Sequence, residues 1–192
     1  MLPDSDLYRA AGASAVVALI ALVISGIALA LFFGGAGAFW GPVNDMFIVV
    51  TVLALILPIL AVDRLAAEGG VGWMRIVTIA TVLGCILIAV GQTALVLGFL
   101  SLEGSFVTGG IGFIPILAWL VALVVLAFGS GVLPSAVGWT AAAVLGLIGA
   151  EALTVLAPMG FLQWITSIAL LTAMVAWLWV LSSALLAPRS VG

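Results

Sequence analysis

The chain contains no histidine and no lysine, and its single cysteine, Cys85, lies in an apolar run. These absences exclude a Cys/His zinc site, haem ligation by histidine, a lysine Schiff base and a disulfide within the chain. Charge is scarce too, since 6% of the 192 residues are charged and the net charge is −3. This pattern offers no surface for nucleic acid, and we predict neither a metal site nor a cofactor.

Apolar side chains are abundant: they make up 67% of the residues and give a mean hydropathy of +1.55. A soluble domain cannot bury so much apolar surface, so the composition predicts a polytopic membrane protein. A helix needs about 20 apolar residues to cross the hydrocarbon core. We therefore predict an all-α fold, one domain over 1–192 with six transmembrane helices in one compact bundle. The predicted spans are about 7–33, 43–62, 73–100, 111–128, 135–157 and 161–186.

The positions of the four arginines predict the orientation of the bundle. With six spans, Arg9, Arg64, Arg75 and Arg189 all fall on one side of the membrane. The positive-inside rule then places both termini in the cytoplasm. Because the composition, rich in Ala, Gly, Val and Leu, is typical of a high-GC bacterium, we expect the chain in a bacterial cytoplasmic (inner) membrane.

The stretch "GLIGAEALTVLAP" contains the first candidate functional residue, Glu151. It lies twelve residues after Trp139, which is predicted to be interfacial, or about 18 Å along the helix and thus in the outer half. Carboxyl groups within membranes are rare, usually face the bundle interior and often mark function. Glu151 is interpreted either as an acid hydrogen-bonded to a neighbouring hydroxyl or amide, or as a proton donor, proton carrier or ligand contact.

Asp45 is the second candidate, at the start of the second predicted span. It either caps that helix or turns inward as a second acid beside Glu151. Further polar and aromatic side chains are predicted for the outer half of the membrane. We expect a cavity there, roofed by a 101–112 loop, in which substrate is bound by Gln92, Asn44, Gln163, Trp40, Trp119 and Trp164.

The third predicted helix carries glycines at intervals of seven, which places Gly84, Gly91 and Gly98 on one face. Small residues let a neighbouring backbone approach closely in a membrane. The pattern predicts a packing groove for another helix, and such glycine-rich faces would also serve a homo-oligomer.

A neutral carboxylic acid in a dry aromatic pocket can protonate an alkene or epoxide, and aromatic faces can stabilise the resulting carbocation. With Asp45, Glu151 and its helical hairpins, the chain resembles the small integral-membrane terpene cyclases of meroterpenoid and indole-terpenoid biosynthesis. That resemblance implies metal-independent acid–base cyclisation or isomerisation of a lipophilic isoprenoid, the work of a lyase or isomerase. The segments "VNDMFIVVTVLALILPILAVDRL" and "GSGVLPSAVGWTAAAVLGLIG" also resemble uncharacterised six-helix bacterial membrane families, which imply no activity.

Two alternatives to an enzyme remain open from the sequence. The first is a carrier of a small hydrophobic molecule in which Glu151 is the proton-linked binding group. The second is a non-catalytic membrane subunit or lipid-binding protein whose glycine faces pack on a partner.

Overall fold

The computed structural model describes residues 4–156 and 160–187. Within these residues the chain is all-helical and contains no strand. Each helix is long and apolar enough to cross a membrane, which confirms the predicted fold class. The helices are α1 Asp4–Phe33, α2 Trp40–Glu68, α3 Met74–Val96, α4 Leu102–Phe128, α5 Ser135–Leu156 and α6 Gly160–Leu186.

The helices form a ring in chain order. Each helix packs against the next one along the chain, and α1 packs against α6 to close the ring, while α2 also approaches α6 across the middle. We call the end where α1 begins and α6 ends the proximal end, and the opposite end, with the α1–α2, α3–α4 and α5–α6 connections, the distal end. The assignment of the proximal end to the cytoplasm stays a prediction, and Arg189 lies outside the described residues.

Two predicted loops are partly helical, and both differences have a local cause. The 101–112 segment is wrong as a loop, because α4 begins at Leu102; Ser101 caps it by accepting a hydrogen bond from the Gly104 N–H at 3.1 Å. The segment "DRLAAEGGVG" begins as helix, since α2 continues to Glu68 and ends at Gly69 and Gly70, the latter with a φ of +77°. The predicted end of the fifth span, at residue 157, lies outside the described residues.

The α3–α4 contact uses the predicted glycine groove within the chain. A Cβ atom on Gly84 would collide with the carbonyl oxygen of Gly112, and one on Gly112 would lie 2.7 Å from the carbonyl oxygen of Gly84. A Cβ atom on Gly91 would meet the Thr108 hydroxyl. Gly98 is different, because it follows α3 in a turn with a φ of +77°. The Gly84 and Gly91 faces are therefore occupied by α4.

Large apolar side chains pack in the proximal half of the ring, around a cavity of about 200 Å³ near its end. Trp119 of α4 and Trp177 of α6 are 0% and 2% exposed, and their rings meet edge to face with centroids 5.8 Å apart. Each lies nine residues before the end of its helix, about 14 Å from the proximal end. Their indole N–H groups have no hydrogen-bond partner among the described residues. This pair and the buried leucines on its proximal side occupy the middle of the ring.

The outer surface of the ring is apolar, as hydrocarbon surroundings require. On α3, for example, exposed residues follow the helical repeat along one face: Ile76, Ile79, Leu83, Ile86, Val90 and Leu97. In water such a face would be an aggregation hazard, whereas in a bilayer it meets lipid chains.

The α3–α4 contact leads to the first prediction, for Gly84→Leu. We expect it to lower the free energy of unfolding by about 3 kcal/mol, the upper range for forcing extra atoms into a close-packed contact. Gly146→Leu is the control, because a Cβ atom there would meet no atom of the described residues within 4 Å. Unfolding of both variants in detergent micelles is the measurement. Equal stability of the two would contradict the close α3–α4 approach.

Candidate functional site

Glu151 is hydrogen-bonded across the α5–α6 contact. The hydroxyl of Ser167 donates to its Oε1 at 2.7 Å, and the hydroxyl of Thr166 is hydrogen-bonded to its Oε2. Glu151 also continues the buried stripe of Val137, Ala141 and Val144 at helical spacing, so it lies on the interior face of α5. It is half-buried, sixteen residues from Ser135, and so in the distal third of the helix.

The Thr166 hydroxyl has two acceptors but only one proton to donate. Besides the Glu151 carboxyl, the carbonyl oxygen of Gln163 lies 3.0 Å from Thr166 Oγ1. A hydroxyl can donate once and accept twice. Thr166 thus links the Glu151 carboxyl group of α5 to the backbone of α6.

Asp45 belongs to a separate polar cluster between α1 and α2. The hydroxyl of Ser25 donates to Asn44 Oδ1 at 2.7 Å, and Asn44 Nδ2 donates to Asp45 Oδ1 at 3.1 Å. The N-cap of α2 is Phe39, which makes no side-chain cap bond. Asp45 therefore does not cap the helix, and the capping interpretation is wrong: it lies more than one turn inside α2 and is half-buried.

A third polar side chain, Gln92 of α3, lies at a similar depth. Its Oε1 is buried and has no partner among the described residues. By helical rise, Gln92, Asp45, Glu151, Ser167 and Ser25 all lie about 6–12 Å from the distal ends of their helices. We call these side chains, together with Asn44 and Thr166, the distal polar belt.

The other predicted ligand contacts lie outside this belt. Trp119 is too deep, because it is packed against Trp177 in the proximal half. Trp40 is half-buried at the distal rim and stacks edge to face with Phe39. Trp164 is 57% exposed and Gln163 is exposed as well, and the carbonyl of Gln163 rather than its amide is the group engaged.

The two acids do not meet in one pocket. Glu151 is on α5 and Asp45 on α2, which are not neighbours in the ring, and each has different hydrogen-bond partners. Two cavities among the described residues, of about 200 and 430 Å³, are lined by neither acid. Among the same residues no three His, Cys, Asp or Glu side chains are placed to hold a metal ion.

The distal half of the bundle is looser than the proximal half on the α5–α6 side. On α5 from 145 to 154, and on α6 from 162 to 176, every residue whose burial is described is at least partly exposed. These ranges lie on the distal side of Val144 and Trp177. They include Ile148 and Glu151, which continue the interior stripe of α5. Glu151 therefore lies in a less buried part of the bundle than the Trp119–Trp177 pair.

The most deeply buried carboxylate is one that we assigned to a loop from the sequence. Asp63 is 4% exposed and pairs with the guanidinium of Arg75 at 3.1 Å across the α2–α3 turn. The next residue, Arg64, pairs with Glu68 one turn further along α2 at 3.2 Å, and the Tyr8 hydroxyl donates to Glu68 at 3.1 Å. Sequence analysis missed the Asp63–Arg75 pair; the turn signal "EGGVG" between Asp63 and Arg75 is the feature that could have indicated it. These contacts tie α1, α2 and α3 together at the proximal end.

Comparison of the chain with known protein families, with curated proteins and with solved structures finds no match in any of the three. The class of protein therefore follows from the fold itself. Helices of this length and hydropathy, an apolar outer surface and an interior polar belt define a polytopic helical membrane protein.

The hydrogen bonds to Glu151 lead to a prediction for the Thr166→Val, Ser167→Ala double variant. We expect it to lose about 1–2 kcal/mol of unfolding free energy, since interhelical hydrogen bonds in membranes average about 0.6 kcal/mol and reach about 1.7. Thr172→Val is the control, because its hydroxyl donates only to the backbone of its own helix. A double variant no less stable than the control would show that the α5–α6 bonds contribute nothing.

The Asp63–Arg75 pair leads to another prediction, a double-mutant cycle. Arg75→Gln leaves a buried carboxylate without its cation, which should cost about 1–3 kcal/mol. Adding Asp63→Asn removes that charge, so we expect the double variant to regain stability relative to Arg75→Gln alone. Chemical unfolding of the four proteins measures the coupling. If Asp63→Asn lowers stability further in the Arg75→Gln background, the burial of a charged Asp63 is refuted.

Proposed function

We propose that this chain is an integral-membrane enzyme that isomerises or cyclises a lipophilic, isoprenoid-type substrate, with Glu151 as the acid. The observation that carries the proposal is the interhelical hydrogen bonding of an interior carboxyl group within the membrane span. Such a group is expensive in hydrocarbon and is usually retained for a function.

The proposed reaction begins with transfer of the Glu151 carboxyl proton to an alkene carbon or epoxide oxygen of the substrate. The proton leaves a carbocation on the substrate and a carboxylate on the protein. Ser167 and Thr166 then both donate to the carboxylate oxygens, which stabilises the charge that has developed. These donors are already in place before the reaction, so little reorganisation is needed.

The reaction ends when a proton on a carbon next to the cation returns to the Glu151 carboxylate. A new double bond forms, directly after protonation in an isomerisation or after ring closure in a cyclisation, and the acid is regenerated with no net loss or gain of atoms. One carboxyl group can thus act as both acid and base. The separation of Asp45 from Glu151 is compatible with this scheme, in which Asp45 orients Asn44 and is not the proton acceptor.

Fewer aromatic side chains lie near the acid than the sequence predicts. Trp119 lies in the proximal core and is about two turns or more below the belt. Trp164 is exposed and lies on α6, three residues and so less than one turn before Ser167, which is hydrogen-bonded to the acid. We propose that Trp164 is the aromatic face nearest the developing cation.

A second function is favoured by one observation, the contrast between the closed proximal half and the looser distal half. A proton-linked carrier of a small hydrophobic molecule would show this arrangement when open on one side only. Glu151 would then bind substrate and proton together, and the Trp119–Trp177 pair would be the barrier below them.

The prediction that tests the enzyme concerns Glu151→Gln, assayed in lipid with a panel of prenylated and epoxidised substrates. We expect at least a 100-fold loss of turnover, the usual contribution of a general acid, and less than a tenfold loss for Asp45→Asn. Glu103→Gln is the control, since Glu103 lies exposed in the first turn of α4. Full turnover by Glu151→Gln would refute the catalytic assignment.

The same variants separate the alternatives. Uptake into proteoliposomes that Glu151→Gln abolishes, without any product being formed, would favour the carrier. Binding of the substrates with neither turnover nor uptake would favour a lipid-binding protein.

A further inference from the structure

The contact between α4 and α5 is close at the proximal end of the two helices. There a Cβ atom on Gly138 would lie 2.6 Å from the Cβ of Ala127 and 2.8 Å from the ring of Phe128. Gly138 is buried as well. At this depth the two backbones are as close as side chains allow.

The same two helices are apart in the distal half. Gly109 lies eighteen residues before Ala127, five full helical turns, and so on the same face of α4, the one directed toward α5. Yet a Cβ atom on Gly109 would meet no described residue within 4 Å, and the same holds for Gly149 of α5. Gly109 and Gly149 each lie seven residues from the distal end of their helix, so they are at the same depth, about 10 Å.

The exposure of α5 supports the separation independently of the glycines. On α5, Val137 marks the interior face and Gly138 marks the face toward α4. The helical spacing places Ala152 between these two faces, but Ala152 is exposed. Ile148, on the interior stripe, is half-buried and packs against the hydrophobic core. The exposure of Ala152 on the α4 side of α5 agrees with a gap between α4 and α5.

We propose that this distal gap is a lateral portal through which a membrane-dissolved lipophile reaches Glu151 from the bilayer. The gap lies within spans that cross the hydrocarbon, so lipid chains are what it faces. Glycine at Gly109 and Gly149 leaves room for a hydrocarbon chain between the helices. Glu151 is two residues beyond Gly149, at the depth of the portal and on the interior side. That the lipophile is a substrate rests on the proposed function, but its access to Glu151 does not.

Dicyclohexylcarbodiimide is a suitable probe because it dissolves in the bilayer and reacts with carboxylic acids. The carboxyl O–H adds across one C=N bond, and the adduct rearranges to a stable N-acylurea with no leaving group. Peptide mass spectrometry of the full chain in lipid vesicles then reports how fast Glu151 is labelled. The wild type should be labelled at Glu151, and Glu151→Gln gives the background.

The portal predicts that the Gly109→Phe, Gly149→Phe double variant is labelled at Glu151 at least fivefold more slowly than the wild type. Gly146→Phe is the matched control: it is on the same helix, also with nothing within 4 Å of its Cβ position, but it is turned toward lipid. Its labelling should stay within twofold of the wild type. Ala152→Phe provides a second obstruction at an exposed position, should the double variant unfold.

Equal labelling of wild type, double variant and Ala152→Phe would overturn the portal, as would a wild type that is not labelled at Glu151. Slow labelling of the obstructed variants combined with full turnover by Glu151→Gln would leave the portal standing and refute the proposed enzyme. Labelling that is unaffected by obstruction, with turnover lost in Glu151→Gln, would mean that substrate reaches the acid by another path.

Discussion

Hydrocarbon offers no hydrogen-bond partners, and this constraint organises the whole molecule. Backbone groups meet it by forming helices, and polar side chains must find partners within the bundle. Several serine and threonine hydroxyls do so by bonding to the backbone of their own helix, as Thr140 and Thr172 do. Glu151 cannot, so it draws on two hydroxyls of the neighbouring helix. The α5–α6 contact and the chemistry we propose both depend on that arrangement.

The two ends of the bundle satisfy the constraint differently. At the proximal end, ion pairs and buried apolar side chains tie the helices together, with Asp63 and Arg75 joined across a turn. At the distal end, hydrogen bonds of the polar belt join α1 to α2 and α5 to α6, and no described residue lies near the Cβ positions of Gly109 and Gly149. The proposed function places the acid and the substrate in this less buried half.

The apolar runs predict the six spans well, because length and hydropathy are determined by the membrane itself. The polar and glycine-rich "SLEGSFVTGGIG" misleads, since the cap at Ser101 and the Gly112–Gly84 contact make it helical. The presence of an acid in the interior is predictable from its lone charge. Its partners Thr166 and Ser167 are not, because hydroxyl residues carry no charge signal and their position depends on how α5 and α6 pack.

The central claim is that the carboxyl of Glu151 faces an interior site that a lipophilic molecule can occupy. The most direct test is an experimental structure in lipid nanodiscs with a prenylated or epoxidised ligand present. The account predicts ligand density in contact with the Glu151 carboxyl, bordered by α4, α5 and α6, with Ser167 still hydrogen-bonded to the acid. A structure in which Glu151 faces the lipid, or is wedged between helices with no adjacent space, would contradict it.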